Sequence, residues 1–180
     1  MNPKVKFKKL RHLSELENLI KEEKERREKE TRPIISVSSG TCGQARGSLK
    51  LIKALAKAIR QQNLQDKVIL KATGCHGFCE AEPNVIIYPE AIFYQKLEPK
   101  DVSKIIERTI LKGEIIEDFL YVDPVNGQKA IKEAEIPFYR KQKRLILGDN
   151  SIVEPTNIFD YFSIGGYSSL LKVLSSFSPE

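Results

Sequence analysis

The tightest constraint on this chain is the turn Thr73-Gly74-Cys75-His76-Gly77-Phe78-Cys79, which carries two of only three cysteines in 180 residues. The third, Cys42, lies in a second glycine-rich turn, Gly40-Thr41-Cys42-Gly43. Each turn follows a short apolar run, Ile34-Ile35-Ser36-Val37 in one case and Val68-Ile69-Leu70 in the other. Both can therefore sit at strand ends on the same edge of one sheet. Three clustered thiols, odd in number, argue against a disulfide scaffold and for ligands or redox groups in a reducing cytoplasm.

Hydrophobic residues make up 41% of the chain and charged residues 30%, enough for a modest core under a water-facing surface. No apolar run approaches the roughly eighteen residues a membrane span needs. The basic N-terminus lacks the apolar centre of a signal peptide. A net charge of +6 raises the question of nucleic acid. The cations, however, are interleaved with acids, as in Lys21-Glu22-Glu23-Lys24-Glu25-Arg26-Arg27-Glu28, the pattern of a solvated helix face. Denser groups occur at Lys4, Lys6, Lys8, Lys9 and Arg11, and at Arg140, Lys141, Lys143 and Arg144. Few aromatics interleave with them to stack bases, so contact with an acidic protein partner is at least as good a reading as nucleic acid.

Residues 1–33 read as a charged helical extension, with Ser14-Glu15-Leu16-Glu17 as a capping box and Pro33 as its stop. Residues 34–113 read as a compact α/β unit. Strand 34–37 runs into the first turn, and Leu49, Ile52, Leu55, Ala56 and Ile59 then recur at helical spacing. Strand 68–70 feeds the cysteine loop. Val85-Ile86-Ile87-Tyr88 and Ile92-Phe93-Tyr94 flank Pro89-Glu90-Ala91 as a hairpin. Pro99 opens a last helix that Gly113 stops. The order β-α-β-β-β-α is that of a thioredoxin-like ferredoxin. Residues 114–180 read as an irregular, α-rich tail with a strand at Phe119-Leu120-Tyr121 and two short helices around Gly165-Gly166. It holds too few apolar residues for a core of its own and is expected to lean on something.

Iron–sulfur clusters are held by cysteine thiolates on short turns, where backbone N–H groups donate to sulfur and glycines permit close approach. Cys42, Cys75 and Cys79 meet that need, and a [2Fe–2S] cluster is the first reading. A zinc site adding His76 ranks lower, because adjacent Cys75 and His76 rarely converge on one ion. A redox-active thiol pair is disfavoured by Cys-x3-Cys in place of Cys-x-x-Cys. His76 and His12 are both read first as non-ligands.

Three stretches, Gly40-Thr41-Cys42 through Gly47-Ser48, Thr73 through Glu80, and Val85-Ile86-Ile87-Tyr88-Pro89-Glu90, resemble one domain type. It is the N-terminal thioredoxin-like ferredoxin domain of flavin-binding diaphorase subunits, found in NADH:quinone oxidoreductase (complex I) and NAD(P)-linked iron-only hydrogenases. The tail is similar to the lead-in to their flavin domain, through Ile136-Pro137-Phe138-Tyr139-Arg140-Lys141-Gln142-Lys143-Arg144 and Gly165-Gly166-Tyr167-Ser168-Ser169-Leu170. The resemblance implies a [2Fe–2S] electron-transfer or docking module of an NAD(P)H-oxidising complex, peripheral on a membrane assembly in the complex I case. Its partners would be flavoprotein, hydrogenase or complex I-type subunits.

Family members with a full cluster have four cysteines, two in the first turn. Here those two positions align with Ser38 and Gly43, and Cys42 sits one residue from the second. Ser38 is thus the candidate fourth, oxygen ligand, and a domain that has lost its cluster is the alternative. FMN, NAD and a [4Fe–4S] cluster are expected only on the remainder of such a subunit or on a partner. This chain is therefore not expected to oxidise NADH unaided.

Overall fold

The computed structural model describes residues 9–178, which form two compact units: residues 31–156, and the two chain ends, 9–30 with 157–178. These units do not follow the expected boundaries at 33 and 113. The reason lies in residues 114–156, whose buried side chains join the sheet instead of forming a tail.

In the unit built from the chain ends, α1 (Leu13–Glu28) begins at Leu13, before the expected capping box. The reciprocal acid is Glu15, whose carboxylate accepts the His12 N–H at 3.2 Å, so His12 and not Ser14 takes the N-cap position. Ile20 is its buried residue, and the charged stretch beyond stays helical with i,i+3 and i,i+4 pairs such as Glu23–Arg26 and Glu25–Lys29. No helix among the described residues is long and apolar enough to cross a membrane.

The larger unit is a thioredoxin-like α/β fold around four strands, β1 (Ile34–Ser38), β2 (Ile69–Thr73), β3 (Val85–Tyr88) and β4 (Ile92–Tyr94), in the order β2-β1-β3-β4. β1 and β2 are parallel, with Ile34 opposite Ile69 and Ser38 opposite Thr73, while β3 and β4 form the expected antiparallel hairpin. A short helix α2 (Thr41–Ala45) leads to α3 (Ser48–Gln61), which lays Leu51, Leu55 and Ile59 on one face of the sheet. The closing helix runs from Pro99 through α4 (Val102–Lys104) into the wider turn Ile105–Ile110. It packs Val102, Ile105 and Ile106 on that same face. Gly113 ends it with φ +70°.

Strand alternation turns Ile86 and Phe93 to the opposite face. There they meet Phe78, Ala81, Ala130, Ile136 and Tyr139, so the segment expected to be a lead-in supplies the second layer of the sheet. It also covers the outer edge of β4, where Phe93 N–H donates to the Ile131 carbonyl at 2.8 Å and Gln95 N–H to that of Phe119 at 3.0 Å. The strand expected at 119–121 starts two residues later, at Tyr121, and is two residues long. A 3-10 turn at Glu117–Phe119 precedes β5 (Tyr121–Val122), which pairs with β6 (Lys129–Ala130). α5 (Pro137–Arg140) follows, and α6 (Ile158–Ser163) and α7 (Ser168–Ser176) pack on α1 in the other unit.

Candidate metal centre

Parallel pairing of β1 with β2 ends both strands at one edge, Ser38 beside Thr73, and sends the two cysteine turns out side by side. Gly40 makes their meeting possible: a Cβ there would lie 2.8 Å from Cys75 Cβ and 3.2 Å from Cys75 N. Within the second loop the Cys75 and Cys79 sulfurs are 3.9 Å apart. Two thiolates on one tetrahedral metal with bonds of about 2.3 Å stand about 3.8 Å apart, so this pair is spaced to share an ion. Gly77, at φ +92°, turns its N–H onto Cys75 Sγ at 3.3 Å.

Cys42 joins from the first turn. The Cys42 thiol, then burial, then the Cys75 thiol push the Cys79 pKa up to about 12. Of the three sulfurs predicted to converge, those of Cys75 and Cys79 stand as a pair, and Cys42 lies in the adjoining first turn. Cys42 is exposed and the other two are half-buried. Among the described residues, no three His, Cys, Asp or Glu side chains are grouped as a single metal ion needs. One ion requires every donor about 2.3 Å from a common point, whereas a two-iron unit spreads its donors over two metals.

Ser38 is fully buried and donates its hydroxyl hydrogen to the Glu82 carboxylate. The other Glu82 oxygen accepts the Asn84 N–H at 3.2 Å, and burial raises the Glu82 pKa against the lowering pull of Ser38, Asn84 and Arg46. A Cβ on Gly43, beside Cys42, would lie 3.1 Å from that second oxygen, so this oxygen pair lies beneath the first turn.

His76 is wholly buried, with Nε2 2.9 Å from Thr73 Oγ1. The Thr73 hydroxyl donates to the Val37 carbonyl at 3.1 Å, so the imidazole proton is assigned to Nε2. Asn84 pulls the basicity of the ring upward. Nδ1 and both Asn84 amide atoms are buried without partners among the described residues. Burial dominates and lowers the His76 pKa to about 4. The ring is a neutral strut between Cys75 and the strands. His12 lies in the other unit.

A brace that sequence reasoning missed holds the loop from outside. Arg144 forms a two-pronged ion pair with Glu133 (3.2 and 2.7 Å), reaches the His76 carbonyl at 3.4 Å, and lies 4.4 Å over the Tyr139 ring. Asn150 donates to the Cys75 carbonyl at 2.9 Å, and Ser36 donates to the Ser151 carbonyl. The one sequence signal for it was the basic run at 140–144, which does not say which cation turns inward.

Comparison with known proteins bears on this geometry. The family model described as thioredoxin-like [2Fe-2S] ferredoxin matches residues 24–109. The 2Fe-2S ferredoxin of Aquifex aeolicus (strain VF5) is 33% identical over 79 residues, covering 43% of this chain and 70% of the relative. That of Clostridium pasteurianum is 29% identical over 72 residues, covering 40% and 71%. A crystal structure of the wild-type thioredoxin-like [2Fe-2S] ferredoxin from Aquifex aeolicus aligns at 23% identity and a TM-score of 0.48, over 52% of this chain and 100% of that one. The chain belongs to the thioredoxin-like [2Fe-2S] ferredoxin family, and the matched residues are an electron-transfer domain of that type.

Proposed function

We propose that this chain is a one-electron carrier whose [2Fe–2S] cluster is held by Cys42, Cys75 and Cys79, with a buried oxygen, that of Ser38, in the fourth position. The observation that carries the reading is the Cys75–Cys79 sulfur pair at 3.9 Å, with the Cys42 turn leaving the adjacent strand end beside it. The donor set suits the group: three soft thiolates, and a hydroxyl in place of the fourth. When bound, the cluster would take up and release one electron. The residues around it would do the rest. Gly77 N–H would donate to the Cys75 sulfur, neutral His76 would hold the loop on Thr73, and the Phe78 layer would limit water.

The electron source or sink in this reading is an NAD(P)H-oxidising flavoprotein of the complex I or hydrogenase-diaphorase type, supported by the tail motifs at 136–144 and 165–170. FMN, NAD and any [4Fe–4S] centre would belong to that partner or to a further part of the subunit. The decisive experiment is anaerobic purification with iron and sulfide analysis. A brown protein with two irons per chain, paramagnetic after dithionite, is expected; colourless, iron-free protein after reconstitution would sink the reading.

One observation favours a second reading, a cluster-free docking domain: Ser38 stands where the family has a thiol and is already hydrogen-bonded to Glu82. In that case Cys75→Ser and Cys79→Ser would leave assembly and electron flux with the partner intact.

A further inference from the structure

Beside the cysteine loop the chain leaves two consecutive aliphatic side chains in water, Leu145 at 79% exposure and Ile146 at 88%. The segment that carries them is tied to the loop on both sides. Arg144 reaches the His76 carbonyl, Asn150 donates to the Cys75 carbonyl, and Leu147 lies 3.7 Å from where a Gly77 Cβ would stand. Leu145 and Ile146 are therefore held next to the thiols. The segment itself is rich in cations: from Ile136 to Gly148 there are four cations and no acid, with exposed Asp149 following. Arg144 is committed to Glu133, while Arg140, Lys141 and Lys143 are exposed.

We propose that this strip is the docking face for a redox protein whose contact surface is apolar at its centre and rimmed by carboxylates. The partner's redox character rests on the electron-carrier reading; its surface chemistry rests on the strip alone. Exposed aliphatic side chains within a polar rim are the usual mark of a protein contact, and the cations steer an acidic surface onto it. An anionic membrane would match the same charge and apolarity. The strip, however, lies over the cysteine loop, where an electron donor or acceptor gains from close approach and a lipid surface does not.

The test uses the full chain, 15N-labelled, with and without reconstituted cluster. It is titrated with a flavodoxin, a small acidic FMN protein, and separately with phosphatidylglycerol vesicles. Amide shifts concentrated in 140–147 are expected with the flavodoxin, weakening as salt rises. Leu145→Ser/Ile146→Ser is expected to raise Kd about tenfold without altering the salt slope, and Lys141→Glu/Lys143→Glu to raise it similarly while flattening that slope. These side chains are exposed, so circular dichroism of both variants should match the parent. Absence of binding, shifts mapping elsewhere, an unchanged Kd in both variants, or vesicle binding that displaces the flavodoxin would each overturn the proposal. Protein that stays iron-free after anaerobic reconstitution yet still docks through 140–147 would sink the cluster reading and leave the docking face standing.

Discussion

The two cysteine turns leave adjacent strand ends and reach one another, yet they are built to different standards. The Cys75–Cys79 loop is braced from within by His76 on Thr73 and from without by Arg144 and Asn150 on its carbonyls. The turn around Cys42 has an exposed thiol on a five-residue helix, held by the buried Ser38–Glu82 pair below it and by Ser39, whose hydroxyl meets that of Ser48 at 3.0 Å and whose carbonyl accepts the Gln44 amide at 2.9 Å. A site with two thiolates preset at 3.9 Å and a third on a looser arm should bind metal in an unequal way. The departure from four cysteines falls on the looser side too, at Ser38 and Gly43. The braced loop would set the geometry, and the open turn would close onto it.

The largest effect that could break this asymmetry is on metal retention. Cys75→Ser and Cys79→Ser are expected to bring reconstituted iron to background. Cys42→Ser should leave a partly loaded, more labile centre, because the preset pair survives. Equal loss in all three, measured as iron per chain and visible absorbance, would show that the loops contribute alike.

Next comes the pH dependence of the braced loop. The His76 pKa falls from 6.5 to about 4 on folding, so between those values the unfolded chain binds a proton that the folded chain refuses. Stability is full above pH 6.5 and falls as pH drops toward 4, by at most roughly 3 kcal/mol. Urea denaturation of the metal-free protein across that window checks it, with His76→Gln removing most of the slope. A flat profile would mean that the ring is hydrated and the inner brace absent.

How much of this was legible beforehand follows from range. The strand order, α3 and the β3–β4 hairpin were readable because period and turn residues lie within a few positions of one another, as in Leu51, Leu55 and Ile59. The adjacency of the two cysteine turns was readable because parallel strands end together. The brace was not: Arg144 and His76 are 68 residues apart, Asn150 and Cys75 are 75 apart, and no local pattern records such pairs. Nor was the second layer, since Ala130, Ile136 and Tyr139 are each buried singly, without a helical or strand period. The capping box was misplaced because Glu15 serves His12, a residue with little N-cap preference, in place of nearby Ser14.

A smaller effect tests the point where the two turns touch. Gly40→Ala sets a Cβ 2.8 Å from that of Cys75, backbone-borne on both sides, so the loops must separate. A loss of about 2 kcal/mol is expected by chemical denaturation. Gly148→Ala, with nothing within 4 Å, should change stability by less than about 0.5 kcal/mol. If the two variants were equally stable, the close approach of the turns would be in doubt.

The smallest expected effect concerns the outer brace. Arg144→Lys keeps the charge but loses the two-pronged contact with Glu133 and the flat stacking on Tyr139, for a cost of about 1 kcal/mol. Its value is in where the loss appears. The Arg144 hydrogen bond to the His76 carbonyl ends on the braced loop, so hydrogen exchange should quicken at 75–79 and stay unchanged at 40–43. Equal quickening in both turns would mean that they open as one unit, and the asymmetry between them would then be one of exposure and not of stability.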